Sequence, residues 1–291
     1  VNHAPGVAIP PKDRSFAFLS GLDPDLKRSL LANIRGLWTH TSTALEGNTL
    51  SLGDTLFFIR EGLTIAGKSL REHHEVEGHA NAVEALYDLV ESGREVTAAD
   101  LFSLHRAVQT SVVLDAYAPV GAWKNAPNGA YAEGADGRPA YVEYAAPECV
   151  DPLMGEWLAA LNRARGDIPD RPLDRPGAAR AYAGLHAAFV RIHPFADGNG
   201  RMARLLCCLP LLATGMPPLL IPKESRQEYI RLLARYELAA GPPRPGLPLF
   251  PPEEMLTPFL AFCETAWNPV WELVDQARAV QADRKALLAG D

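Results

Sequence analysis

The chain has 291 residues, 47% of them apolar, enough for one large domain or two small ones with a sizeable core. Its 28 Lys and Arg against 35 Asp and Glu give a formal net charge of −7, which argues against a duplex-binding surface. Four cysteines without a C-x-x-C pair disfavour a structural zinc site and fit a cytoplasmic, reducing setting. No basic-then-apolar segment opens the chain, so no signal peptide is expected. The most apolar stretch, 205–221, contains Pro210, Pro217 and Pro218 and falls short of the ~20 residues that span a bilayer.

Residues 1–22 carry proline and glycine without periodicity and are expected to form an extended arm. From Pro24, Leu30, Ile34, Leu37, Trp38 and Leu45 recur at helical spacing, and Gly47 and Asn48 stop that helix. Ser51 or Asp54 opens a short helix through Glu61, and Leu70–Val90 forms a long amphipathic one. Thr97 and Asp100 resemble a capping box for Ala98–Thr110. Between Trp123 and Ala146, Gly129, Gly134 and Gly137 punctuate Tyr131, Tyr141, Val142 and Tyr144, which predicts a hairpin. Helices follow at Pro147–Arg165, Pro176–Ile192, Asn199–Thr214 and Glu224–Ala240, then a proline-rich loop to Pro252 and one or two helices over Glu253–Leu288. The expected fold class is mainly α with one small β-hairpin. Its parts are an arm (1–22), N-terminal helices (23–115), a core with hairpin and loop (116–240) and a C-terminal helical segment (241–291).

The chemistry concentrates in His193-Pro194-Phe195-Ala196-Asp197-Gly198-Asn199-Gly200-Arg201-Met202-Ala203-Arg204. Pro194 disfavours helix at His193, so the incoming helix ends there. Gly198 and Gly200 allow a tight turn into a new helix, whose N-terminal N–H groups and dipole attract anions. Arg201 and Arg204, three apart, add guanidinium forks suited to phosphate oxygens. Asp197 beside them suits Mg²⁺ bridging those oxygens, and His193 can take a proton from an attacking hydroxyl.

This segment resembles the Fic-domain signature H-P-F-x-[DE]-G-N-G-R-x-x-R, with every fixed position matched. The resemblance extends from about Ser42 to Tyr236. It implies an all-helical fold with a hairpin flap, and transfer of AMP from ATP to a Ser, Thr or Tyr hydroxyl of a protein target. It further implies that His193 is the general base and Asp197 the Mg²⁺ ligand. By the same resemblance Gly198, Asn199 and Gly200 cradle the α- and β-phosphates, Arg201 and Arg204 hold the β- and γ-phosphates, and Phe195 is a buried wedge. Gly121-Ala122-Trp123-Lys124 resembles the start of the flap, with Lys where the family more often has Arg. Tyr229 and Tyr236 fall in the region that contacts adenine in similar proteins.

Upstream, Ser42-Thr43-Ala44-Leu45-Glu46-Gly47-Asn48 resembles the inhibitory motif [ST]-x-x-x-E-[GN], here in an N-terminal helix. A carboxylate at a helix C-terminus is disfavoured by roughly 0.3–1 kcal/mol. Pairing of Glu46 with Arg204 would offset that cost and occupy the γ-phosphate's guanidinium, with Ser42 placed one turn earlier to orient Glu46. Transfer of UMP, phosphate or phosphocholine, and removal of AMP by water activated at Glu46, are alternatives. An enzyme of another class is suggested by His74-Glu75-Val76-Glu77-Gly78-His79, which matches the H-E-x-x-G-H pattern of some zinc peptidases. Its spacing of five needs a distorted helix, and a third ligand is wanting. The expected partners are ATP and a protein with an exposed hydroxyl, with neither nucleic acid nor membrane, and with homodimerisation left open.

Overall fold

The computed structural model describes residue 12 and residues 14–109, 118–134, 137–166 and 173–289. Among these residues the chain forms eleven α-helices and a two-stranded antiparallel sheet, matching the expected mainly α class.

Helix α1 (Pro24–Leu45) starts with proline in its first turn, where a missing N–H costs nothing. Its buried stripe of Leu30, Ile34, Trp38 and Leu45 packs on α3 (Leu70–Ser92). Helix α2 (Leu52–Glu61) is opened by a capping box: Ser51 Oγ accepts from Asp54 N–H at 3.1 Å and the Asp54 carboxylate accepts from Ser51 N–H at 3.0 Å. Ser69 with Glu72 does the same for α3, and the Asp100 carboxylate accepts from Thr97 N–H at 2.8 Å to open α4 (Ala98–Val108). The expected end of α4 at Thr110 lies outside the described residues.

Strands β1 (Gly129–Glu133) and β2 (Pro139–Glu143) pair in the register Gly129↔Glu143 and Tyr131↔Tyr141. The two tyrosine rings meet edge-on at 5.4 Å, a cross-strand pair that pins the register. After α5 (Pro147–Gly166) comes α6 (Arg175–Ile192), apolar on nearly every face; Tyr182, Ala183, Ala188, Phe189 and Ile192 are all fully buried. Such a helix belongs at the centre of a core, and α5 and α10 (Glu253–Ala266) pack on it.

The single helix expected over Asn199–Thr214 is two: α7 (Asn199–Leu206) and α8 (Leu209–Ala213). Pro210 cannot donate to the preceding turn, so the chain restarts there. Helix α9 (Arg226–Ala240) then precedes α10, and α11 (Asn268–Ala289) returns to lie against α1.

Most of the N-terminal arm lies outside the described residues, but its last part is built into the core rather than extended from it. Phe16, Phe18, Leu19 and Leu22 are buried, and Arg14 bonds Glu84 at 2.9 Å and Asp88 at 2.7 Å on α3. No described helix is long and apolar enough to cross a membrane.

Candidate active site

Helix α6 ends at His193, whose φ of 52° makes it the one described non-glycine residue with left-handed backbone. Pro194 forbids helical geometry there, and the His193 N–H closes the last turn on Phe189 O at 2.9 Å. Strained backbone of this kind persists only where its surroundings fix it. The imidazole Nδ1 donates to Val190 O at 3.1 Å, leaving Nε2 as a lone pair. Tyr144, just past β2, stacks on the ring at 3.7 Å between centroids and 3° between planes. Desolvation is the main influence on His193 and holds its pKa down to about 4, so the ring is neutral at physiological pH.

The turn after His193 is anchored three ways. Phe195 is fully buried and stacks on His105 at 3.9 Å. Asn199 accepts from Phe195 N–H at 2.9 Å and donates to Phe195 O at 2.8 Å. The His105 ring accepts from Gly121 N–H at 2.9 Å through Nδ1 and donates to Asp197 O at 2.9 Å through Nε2. The Asn199 side chain is thus spent on the loop, and only its main-chain N–H remains for an anion. Gly198 takes a φ of 77°, and a Cβ there would lie 2.7 Å from the Gln109 amide nitrogen. Glycine is required on both counts.

The two arginines of α7 are held differently. Arg201 is tied inward, donating to Val108 O and Gln109 Oε1 at 3.2 Å each, with Asp197 at 3.6 Å. Arg204 faces the cavity. It donates to Ser42 Oγ at 3.2 Å, Ser42 O at 2.9 Å, the Tyr229 hydroxyl at 3.5 Å and Glu46 Oε1 at 2.7 Å. Ser42 therefore orients Arg204 directly, not Glu46 as the motif suggested. Burial alone would raise the Glu46 pKa, but the charge and hydrogen bond of Arg204 outweigh it and hold the carboxylate ionised. A Cβ on Gly200 would lie 2.6 Å from Glu46 Oε1, so this carboxylate rests directly over the start of α7.

Asp197 is mostly exposed, its side chain 76% accessible. Burial raises its pKa, yet hydrogen bonds from Gln109 and Gly198 N–H and the charge of Arg201 bring it below the ordinary value. One exposed, ionised carboxylate beside an anion site fits Mg²⁺, which takes one or two carboxylates and completes its shell with phosphate oxygens and water.

These groups line a cavity of about 320 Å³ between α7, α9 and the hairpin. His193, Asp197, Gly198, Asn199, Gly200, Arg204, Glu46 and Tyr229 all border it. Tyr236 does not: its ring lies against Arg191, 5.8 Å from the guanidinium carbon. The cavity face of α9 carries Arg226, Ile230, Leu233, Ala234 and Glu237. Tyr229 is at the edge of that arc, and seven further residues rotate Tyr236 about 20° beyond it. Glu237 and the stacking role of Tyr144 had no motif to announce them.

The zinc-peptidase pattern is not assembled into a site. His79 is fully buried against α1, with Nδ1 3.3 Å from Thr39 Oγ1, and Glu75 bonds Arg71 and Asn48 at 3.0 Å each. No group of three or more His, Cys, Asp or Glu side chains placed to hold a metal occurs among the described residues.

The Fic/DOC family model matches residues 95–211, a span that contains the whole His193–Arg204 segment. The chain carries a Fic domain. The chain is 35% identical over 204 residues to protein adenylyltransferase fic-1 of Caenorhabditis briggsae, covering 69% of this chain and 36% of that protein. The Caenorhabditis elegans protein of the same name is 34% identical over 217 residues. The chain thus spans about a third of the length of the curated relatives it matches. A Fic domain containing signaling protein from Bacteroides thetaiotaomicron superposes with a TM-score of 0.74 at 26% identity, covering 90% of this chain and 93% of that one. A Fic-1 fragment from C. elegans superposes with a TM-score of 0.67 at 26% identity, covering 90% and 69%.

Proposed function

We propose that the chain transfers AMP from ATP to a Ser, Thr or Tyr hydroxyl of a protein, and that Glu46 restrains this activity. The observation that carries the reading is the Glu46 carboxylate held by Arg204 over Gly200, an anion lodged at the N-terminus of α7 where a phosphate would otherwise bind. The names of the curated relatives supply the nucleotide.

In the reaction, His193 Nε2 takes the proton of the target hydroxyl as its oxygen attacks the α-phosphorus. The new P–O bond forms as the bond to the β-phosphate oxygen breaks, and pyrophosphate leaves. The N–H groups of Asn199 and Gly200 and the Arg204 guanidinium hold the phosphate oxygens. Asp197 would hold Mg²⁺, which neutralises charge on the phosphates when bound. Exposed Tyr131 and Tyr141 on the hairpin offer an open strand edge and aromatic surface for an extended target segment. All four cysteines are free, in keeping with a reducing, cytoplasmic setting.

Incubating Glu46→Gly protein with ATP and Mg²⁺, then weighing it intact, tests the reading. A gain of one adenylyl group, absent from His193→Ala protein, is expected. No gain, or a gain from UTP in preference to ATP, overturns it. AMP removal remains a second reading because Glu46 also borders the cavity: a purified AMP-modified target losing AMP to wild type but not to Glu46→Gly would favour it.

A further inference from the structure

The end of the cavity away from Arg204 has a different character. Val142, Val190, Leu233 and Ala234 wall it with apolar surface, and Glu237 alone brings a carboxyl group into that end. Glu237 is only 7% exposed, and among the described residues its carboxyl makes no hydrogen bond or ion pair. The cation whose charge acts on it, Arg191 on α6, is committed elsewhere, donating to Gly241 O at 2.8 Å, Ala240 O at 3.1 Å and the Tyr236 hydroxyl at 3.5 Å. A buried polar group left without a partner inside a ligand cavity calls for a ligand to satisfy it.

Position along α9 says which part of a nucleotide that would be. Tyr229 bonds Arg204 at the phosphate end, and Glu237 lies eight residues on, ~12 Å along the axis. That is comparable with the span from the terminal phosphates to the base of a nucleoside triphosphate. The apolar walls suit a flat ring, and the carboxyl meets its edge.

We propose that Glu237 is the residue that reads the base of the bound nucleotide, pairing as a carboxylic acid with adenine. Its O–H donates to a ring nitrogen and its carbonyl oxygen accepts from the exocyclic amino group, the pattern by which a side-chain amide pairs with adenine. This rests on the nucleotide reading above and adds to it the group that selects the base.

The surroundings favour the acid form. Burial drives the Glu237 pKa up to about 8, with the Arg191 charge opposing. The titratable neighbours are Tyr144 after β2 and Tyr236 on α9 itself, whose hydroxyl pKa values the Glu237 charge raises, while α10 faces α9 through Phe259 and Phe262 and β1 lines the cavity with Ala130, Tyr131 and Ala132. Lys223 and Glu224 sit beyond the opposite end of α9. Once ionised, the carboxylate offers only acceptors: it repels the adenine ring nitrogen and suits the two adjacent N–H donors of guanine. Base preference should therefore move with the protonation of this one group.

The test is calorimetric binding of ATP and of GTP, each with Mg²⁺, to Glu46→Gly protein and to Glu237→Gln and Glu237→Ala in that background. Measurements at about pH 6.5 and about pH 9.5 bracket the titration. ATP preference over GTP should fall about tenfold between the two pH values in the parent. Glu237→Gln, a fixed donor–acceptor pair, should keep the preference at both; Glu237→Ala should lose it at both. Thermal unfolding of each variant checks that the fold is kept, and Glu237→Gln stands as the test if Glu237→Ala does not fold. A parent that binds neither nucleotide overturns the nucleotide reading itself. Binding with an ATP-to-GTP ratio indifferent to pH and to both substitutions overturns only the role of Glu237.

Discussion

Glu46 and Arg204, 158 positions apart in the chain, meet at 2.7 Å, and Arg204 is at the same time fixed by both the hydroxyl and the carbonyl of Ser42. The last turn of α1 therefore supplies both the anion that occupies the guanidinium and the acceptors that aim it. Glu46→Gly is expected to raise AMP transfer by about 10²-fold, the scale on which a misplacement of about 1 Å slows a positioned reaction. Arg204→Ala added to it should erase the gain. Self-modification under saturating ATP and Mg²⁺, followed by intact mass, measures both; a Glu46→Gly rate at or below wild type would sink the inhibitory role.

His193→Ala should reduce transfer by about 10²–10⁴-fold while nucleotide affinity stays within a few-fold, because the phosphate groups contact other residues. A base with a pKa of about 4 stays deprotonated through the neutral range, so the rate should not decline on acidification from about pH 8 to about pH 5.5. Desolvation is the chief cause of that low value, and Tyr144 covers the ring. Tyr144→Ala should move the acid limb of the pH–rate profile upward, and Tyr144→Phe should leave it in place. Coincident profiles for all three proteins would remove Tyr144 from this role.

Asp197→Ala should abolish Mg²⁺-dependent enhancement of nucleotide binding and block transfer. The metal titration is read by calorimetry in chelator and in excess Mg²⁺. Binding that strengthens with Mg²⁺ as much as in the parent would place the ion elsewhere.

Three fully packed histidines, His79, His105 and His186, have pKa values lowered by burial to about 3, about 4 and about 3. Each folded-state value lies below the unfolded value of about 6.5, so the unfolded chain binds more protons between them and stability is lost as pH falls through that window. Each group contributes about 1.4 kcal/mol per pH unit there. Glu237 works in the opposite sense, its raised pKa of about 8 favouring the folded state below the unfolded value and withdrawing that support as pH rises to about 8. Three against one leaves a net loss on acidification. The Tm should drop between about pH 7 and about pH 5, where most surface carboxylates are still ionised; a flat Tm over that interval would contradict the buried neutral imidazoles.

Much of this was legible in the chain itself because the determinants are local. Ser51 with Asp54, Thr97 with Asp100 and Pro24 mark helix starts by their own hydrogen-bonding chemistry, and Gly198 and Gly200 announce a turn only glycine can make. The pairing of α1 with α7 is readable from a motif, since charge complementarity between Glu46 and Arg204 survives without coordinates. What escaped depends on angles and distances between elements. Tyr236 lies about 20° outside the cavity arc of α9, a difference no seven-residue spacing reveals. Glu237 looks like any surface glutamate until the hairpin and α6 close over it, and Ser42 aims the arginine rather than its neighbour in the motif. The break at Cys207–Cys208 is hidden in the sequence because the apolar run masks the consequence of Pro210.

Helix α1 carries the turn proposed to inhibit, yet Leu30, Leu31, Ile34 and Trp38 place its body in the same apolar core as α3 and α6. Arg226 on α9 donates to Leu45 O at 2.7 Å, a bond within the last turn that fraying there would break. A helix so packed cannot swing away as a detachable arm without exposing that core to water. On the proposed reading, relief of inhibition would come from fraying confined to the final turn, from Ser42 to Gly47, while the rest of the helix stays docked. A protease cutting between residues 24 and 41 would accordingly yield an unfolding protein in place of an unleashed enzyme, and activation by proteolytic trimming is closed to this architecture.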